Sequence, residues 1–337
     1  TTNLSELAIS LNNNSKVYIL PCIAGHVGAD AAAVALSTSP EKSIDTVLVI
    51  DVGTNAEILL GNKNRLLACS SPTGPAFEGA QISCGQRAAP GAIENVRIDP
   101  NSKRVRFKVI GSKFWSDEEQ FWPSVKNFGI TGVCGSGIIE AIAEMRLSGI
   151  VDENGLIGSA QQTGTSLCIA EGRTQSFILY QSKNSEKNIV ISNSDVRAIQ
   201  LAKAALFAGS KLLMEELGVK FIDRIILAGA FGAHISPKHA MVLGMIPDCE
   251  LEKVVSAGNA AGTGARIALL NKESRSKIEI LVNQITKIET AMSPNFQTHF
   301  VAASGIPNTI EKFPKLNNIV SLPNVKFDEK IILSSTG

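Results

Sequence analysis

Asp51, Gly53, Thr54 and Asn55 stand together between two apolar runs, Thr46-Val-Leu-Val-Ile-Asp51 and Ala56-Glu-Ile-Leu-Leu-Gly61. A carboxylate at a strand end, followed at once by a glycine turn with a hydroxyl, can hold Mg²⁺ and phosphate oxygens together. Successive turn amides can form an anion-binding concavity, and the Asp reaches the metal directly or through water. An ordinary β-hairpin, in which Asp51, Thr54 and Asn55 only satisfy turn geometry, uses the same residue types.

Three further glycine clusters have chemistry open to them. Ile226-Leu-Ala-Gly-Ala-Phe-Gly232 places two glycines at the end of an apolar strand, where a ribose or phosphate can approach the backbone. Gly258-Asn-Ala-Ala-Gly-Thr-Gly264 and Gly132-Val-Cys-Gly-Ser-Gly137 each open a helix whose N-terminus can face an anion. Tight packing accounts for the small residues equally well in all three. None fits G-x-x-x-x-G-K-[ST], which argues against a P-loop enzyme. Arg197, Gln200 and Lys203 recur at three-residue spacing; they could approach a nucleotide, but solvated helix positions are the expectation. Glu78, a polar residue among small ones, can face a cleft or a partner. His26, His234, His239 and His299 show no metal-ligand spacing and read as structural or surface residues.

The elements that must hold these residues follow from the chain's periodicities. Short turns join the strand-like runs Thr46–Asp51, Glu57–Gly61 and Arg65–Ser70, so these strands must be antiparallel. Strands are expected at Ile93–Ile98 and Arg104–Ile110, and helices at Val27–Ser37 and Ile138–Leu147. A long helix runs from near Ser194 to Leu217, with apolar residues at helical spacing. Strand Arg224–Ala228, helix Pro237–Leu243, strand Lys253–Ser256 and helix Asn259–Leu270 follow, then a mixed segment and a short helix around Phe296–Ala303. This order is that of a ribonuclease-H-like α/β domain, a mixed sheet with helices on both faces and inserted β-rich segments. The expected division is a linker and the end of a preceding subdomain over 1–45, and a core subdomain over 46–272. The core carries insertions at about 84–131 and 150–190, and 273–337 forms a C-terminal extension. Residues before Ser15 read as a linker or frayed helix.

Composition narrows the partners. The 337 residues are 44% hydrophobic and 19% charged, with 32 basic and 31 acidic side chains for a net charge of +1. That balance gives no electrostatic case for nucleic acid or a membrane surface, and 5% aromatics offer no base-stacking platform. Six scattered cysteines without a C-x-x-C pair read as mostly buried thiols of a cytoplasmic protein. No apolar run approaches a membrane span and no signal segment is visible.

Taken in order, these motifs resemble the actin-like ATPase superfamily of sugar kinases and Hsp70 chaperones. Asp51–Glu57 is similar to its second phosphate motif, Leu227–Gly232 to its adenosine motif and Gly258–Gly264 to its hinge helix. The resemblance narrows through Val49–Ile58, Gly74–Ala80, Gly132–Gly137 and Asp195–Ala205 to the reductive activators of corrinoid proteins. It implies a protein that uses ATP to drive the uphill return of a Co(II) corrinoid protein to Co(I) in a methyltransferase system. It also implies an electron donor, an N-terminal 2Fe–2S domain of the full-length protein or in some members a C-terminal ferredoxin-like segment, for which this chain shows no iron–sulfur ligand cluster. Under the resemblance Asp51 holds Mg²⁺, through water, and Gly53, Thr54 and Asn55 contact phosphates. Glu57 orients a water or is a paired strand residue, and Gly229, Ala230, Phe231 and Gly232 line the nucleoside. A sugar or acid kinase on the same fold and a corrinoid-protein docking module with a degenerate nucleotide site are the alternatives left open, and assembly as a homodimer is open under any of them. The chain begins with Thr1 and has one D-x-G-T motif where the superfamily has two. It therefore reads as the C-terminal part of a longer activator, its nucleotide site half complete.

Overall fold

The structure is a computed structural model that describes residues 2–3, 15–182, 188–232 and 234–327; residues 2, 3, 230 and 231 are described by their backbone alone. The linker or frayed helix expected before Ser15 lies mostly outside the described residues, although Thr2–Asn3 pairs antiparallel with Lys16–Val17. Helix α1 spans Ala29–Thr38. Three strands follow, β1 (Val47–Val52), β2 (Ala56–Gly61) and β3 (Leu66–Ser71). Their links are too short for a crossover, and β1–β2 and β2–β3 are antiparallel as expected, with Asp51 opposite Glu57.

Between β3 and the next long helix lie β4 (Ala92–Ile98), β5 (Val105–Val109) and β6 (Gly132–Val133), which form a small sheet in the order β5-β4-β6. Helix α2 (Gly135–Leu147) follows. Next come β7 (Cys168–Glu171), β8 (Thr174–Tyr180) and β9 (Ile189–Ser192), paired as an antiparallel meander. The 25-residue helix α3 (Asn193–Leu217) opens on a capping box. The Ser192 hydroxyl accepts from Asp195 N at 3.2 Å, and the Asp195 carboxylate accepts from Ser192 N at 2.8 Å. Asp195 also accepts from Ser83 N and Oγ at 2.8 and 3.1 Å, so this cap anchors the chain at Ser83.

The chain then returns to the main sheet as β10 (Arg224–Ala228), followed by α4 (Pro237–Leu243), β11 (Val254–Gly258) and α5 (Ala260–Leu270). Beyond α5 the expected mixed segment is a 13-residue helix, α6 (Lys272–Gln284), and an edge strand, β12 (Ile285–Lys287). The final large helix is α7 (Pro294–Ala302). The main sheet has six strands in the order β11-β10-β1-β2-β3-β12, with β10 and β11 parallel to their neighbours and β12 parallel to β3. Among the described residues no helix is long and apolar enough to cross a membrane. Four of the six thiols, Cys69, Cys134, Cys168 and Cys249, are buried.

Strand β1 is apolar on both faces because both are covered. Leu48 and Ile50 join the large core under α2 and α3, while Val47 and Val49 pack with Ala31, Val34 and Ala260 of α1 and α5. Small residues let these two helices cross closely. A Cβ on Gly264 would stand 1.9 Å from the Ala33 carbonyl oxygen, so this part of the expected hinge motif is a packing requirement.

A Gly264→Val substitution should therefore cost about 3 kcal/mol or more, since neither backbone can yield without separating the helices. Thermal unfolding of this variant against Ala265→Val, at the adjacent exposed position, checks it; equal melting temperatures would refute the close crossing.

Candidate functional site

Strand β1 delivers Asp51 to its C-terminal end, and the sheet brings the end of β10 beside it through the Ala228–Asp51 register pair. There Gly229 takes φ +88°, and a Cβ at that position would stand 2.6 Å from Asp51 Oδ1. Only glycine combines this left-handed backbone with so close an approach to a carboxylate. The two motifs expected to bind phosphate and nucleoside are thus in contact. Gly229–Gly232 forms a single helical turn. The side chains of Ala230 and Phe231, expected to line the nucleoside, lie outside the described residues.

The Gly53–Asn55 turn is braced from behind. Thr73 Oγ1 donates to the carbonyls of Gly53 and Thr54 at 2.8 and 3.0 Å, and Gly74 N donates to the Thr54 carbonyl at 2.9 Å. The exposed Thr54 hydroxyl donates to Glu78 Oε1 at 2.8 Å, which gives Glu78 a defined place beside the turn. Asn55 is exposed at the turn's tip.

Asp51 and Glu57 project to the α1 face of the sheet and are both half-buried. Asp51 has no hydrogen-bond or ion-pair partner among the described residues. Burial, and then the negative charge of Asp30, raise its pKa. Glu57 is pushed up to about 7 by burial first, then by Asp30 and Asp51, against a weak hydrogen bond from Ser70 Oγ at 3.3 Å. Asp30 was not singled out from the sequence. Its signal was a lone carboxylate in the first turn of an alanine-rich helix, and its relevance depends on where that helix packs. The charge of Asp30 thus opposes ionisation of Asp51 and Glu57, a cost that a cation beside them would offset. Among the described residues no three such groups could hold a metal ion by themselves. Mg²⁺ commonly uses one or two carboxylates and completes its shell with water and phosphate oxygens, so the donor set fits that ion.

On the other face of β1, Val52 and Glu78 border a cavity of about 490 Å³, which Arg87, Gly135, Ser136 and His234 also line. Its volume is that of a small-molecule site. Helix α2 begins at its wall with no side-chain cap on its first amides. Within the Gly132–Gly137 cluster the roles divide: a Cβ on Gly137 would stand 2.1 Å from the Ile93 carbonyl oxygen, a packing requirement, whereas Gly135 and Ser136 line the cavity. Arg87 and His234 had no motif to mark them.

The polar residues of α3 correct an expectation. Arg197 is exposed, but Gln200 and Lys203 are buried rather than solvated, and neither reaches the candidate site. Gln200 Nε2 donates to the carbonyls of Asn154 and Ser304 at 2.9 and 2.8 Å. Lys203 Nζ donates to the carbonyls of Gly305 and Pro307, and burial lowers its pKa well below the usual lysine range. A long helix crossed by two irregular segments must satisfy their carbonyls, and these side chains do so. His239 is structural as expected, buried with Nε2 2.8 Å from Glu144 Oε1.

The antiparallel hairpins, the parallel strands beside them and the two glycine turns meeting at one strand end define the actin-like ATPase (ASKHA) fold. Residues 45–317 match the family described as the C-terminal domain of RACo, the ASKHA domain. The corrinoid activation enzyme RamQ of Eubacterium limosum is 36% identical over 300 residues, 86% of this chain and 47% of that protein. The Co(II) methylated amine-specific corrinoid protein reductase of Methanosarcina barkeri is 27% identical over 330 residues, 93% of this chain and 57% of that protein. A solved structure of a reductive activator for corrinoid, iron-sulfur protein matches with a TM-score of 0.78 at 33% identity, over 91% of this chain and 47% of that one. The chain belongs to the family of the RACo C-terminal ASKHA domain. It spans about half the length of the curated relatives it matches.

The raised Glu57 pKa makes the folded protein hold a proton that the unfolded chain releases, in the window from its ordinary value of 4.5 up to about 7. Stability should fall as pH rises through that window, and Glu57→Gln should flatten the dependence. Urea unfolding between pH 4.5 and 8 measures both; an unchanged slope in the variant would show that Glu57 is not the group.

Proposed function

We propose that this chain is the nucleotide-binding part of a reductive activator that returns a Co(II) corrinoid protein to Co(I), with ATP driving the uphill electron transfer. The observation that carries the reading is Asp51, a half-buried carboxylate without a partner among the described residues, held against Gly229 beside a braced phosphate-type turn. Its surroundings raise the cost of its charge, and a divalent cation lowers that cost. Asp51 holds Mg²⁺, directly or through water, and the amides of Gly53, Thr54 and Asn55 meet the phosphates. Gly229–Gly232 would hold the nucleoside, and the cavity lined by Ser136 and His234 has the volume to take part of such a ligand. In this reading Glu57 would orient a water near the terminal phosphate.

The relatives support the partner. Two are named for corrinoid activation or reduction, and the solved neighbour for activation of a corrinoid, iron-sulfur protein. One electron converts Co(II) to Co(I). Its source is a donor outside this chain, a 2Fe–2S centre in the reading from resemblance. ATP hydrolysis in the cytoplasm supplies the driving force, and the corrinoid protein is substrate and partner at once.

Calorimetry with Mg-ATP, and the optical spectrum of a Co(II) corrinoid protein supplied with reductant and ATP, test this reading. Asp51→Asn should weaken Mg-dependent ATP binding at least about tenfold and slow hydrolysis by about a hundredfold, the scale of losing one preorganised charge contact. Unaltered Mg-ATP binding in the variant, or ATP-independent formation of Co(I), would refute it.

A further inference from the structure

Away from the candidate site, a groove of about 550 Å³ opens beside the β4–β5 hairpin. Arg97 of β4, Arg104 and Arg106 at β5, and Lys238 in the first turn of α4 line it. Trp115 organises part of this set, with Arg97, Arg106 and Lys108 lying 5.6, 4.8 and 5.2 Å from its ring centroid. The acids on the same wall are mostly committed elsewhere. Asp99 accepts from Asn101 N, Ser102 N and Ser102 Oγ at 3.1, 2.7 and 2.9 Å, closing its own turn. Glu144 is taken by His239 and by Ile98 N, the latter at 3.1 Å. Arg97 reaches Glu140 at 2.6 Å, but Arg104, Arg106, Lys108 and Lys238 have no ion-pair partner among the described residues. Asp117 is the one lining carboxylate left to answer them among the described residues. The four lining cations Arg97, Arg104, Arg106 and Lys238 exceed the three lining carboxylates Asp99, Asp117 and Glu144 by one charge, with Arg104, Arg106 and Lys238 free to pair outward.

We propose that the groove is the docking surface for an acidic face of a partner protein. The inference rests on the functional reading above and takes the corrinoid protein as that partner. Arg and Trp are the side chains that most often anchor protein interfaces, and clustered cations steer an acidic surface into register. Three separate segments contribute, so a partner seated here contacts the hairpin and α4 together. Helix α2 borders both regions: Gly135 and Ser136 line the cavity, and Glu140 and Glu144 hold Arg97 and His239 beneath the groove. A partner in the groove therefore rests on the helix whose first turn walls the proposed nucleotide cavity.

The test follows the association of a Co(II) corrinoid protein with the wild type, Arg104→Glu/Arg106→Glu, Lys238→Glu and Arg104→Lys/Arg106→Lys, at low and high salt. Mg-ATP calorimetry on each verifies that the fold is intact. The Arg-to-Glu pair should slow association at low salt at least about tenfold and flatten its salt dependence, while the Lys pair stays within about threefold of wild type. Lys238→Glu, on a different element, should act in the same direction. Wild-type binding that the reversals leave unchanged would overturn the docking assignment alone. Failure of the wild type to bind any corrinoid protein would overturn the functional reading and this assignment with it. Loss of retention on heparin with corrinoid-protein binding intact would assign the groove to a nucleic-acid-like polyanion and also overturn the proposal.

Discussion

The site is organised by one electrostatic constraint, a carboxylate at the end of a strand that is buried on both faces. Strand β1 is fixed laterally by β2 and β10 and covered by helices above and below, which holds Asp51 half-buried at its end. Its neighbours are glycine backbone on one side and the carboxylates of Asp30 and Glu57 on the other. Such a cluster stabilises no fold, because burial and like charge both oppose ionisation. Under the proposed function it is the cation site, and the braced turn beside it is the proposed phosphate contact.

Two faces of the same strand serve different purposes. The α1 face carries the acids, and the α2 face opens into the cavity that begins at Val52. The Gly53–Asn55 turn is the point at which both can be reached, and Thr73, Gly74 and Glu78 hold it there. Helix α2 extends this organisation outward. Its first turn meets the cavity, and its later carboxylates form the buried contacts with Arg97 and His239 that join β4 to α4. A rigid helix with ends in two environments is a physical route by which a surface contact and a nucleotide site can influence each other.

Much of the fold was legible because local rules and the global arrangement agree. Links as short as Gly53–Asn55 force antiparallel pairing, and the 3.6-residue repeat of Val196, Ile199, Ala202 and Leu206 marks α3 without reference to anything else. The phosphate-type turn was legible for the same reason, as a strand, a turn and a second strand contiguous in sequence. The readings that needed correction concern residues whose partners lie far along the chain. Gln200 and Lys203 look like solvated helix positions until the segments at Asn154 and Ser304–Pro307 are laid across them. The edge strand Ile285–Lys287 is too short to show a period, and it exists because β3 offers an open edge.

By itself the sequence determined the antiparallel run of β1, β2 and β3, the hairpin that carries Asp51, Thr54 and Asn55, and the glycine-rich turns, since each depends on neighbours a few residues away. Tertiary structure decided which charges share a site. Asp30 reaches Asp51 and Glu57 only because Gly264 lets α5 lie against α1, which in turn lies on that face of the sheet. It also decided that Arg97, Arg104, Arg106 and Lys238 share one groove while Asp99 and Glu144 beside them accept hydrogen bonds from other groups. Fields and cavities depend on through-space distance, which no local pattern encodes, and so these features appear only when the chain is folded.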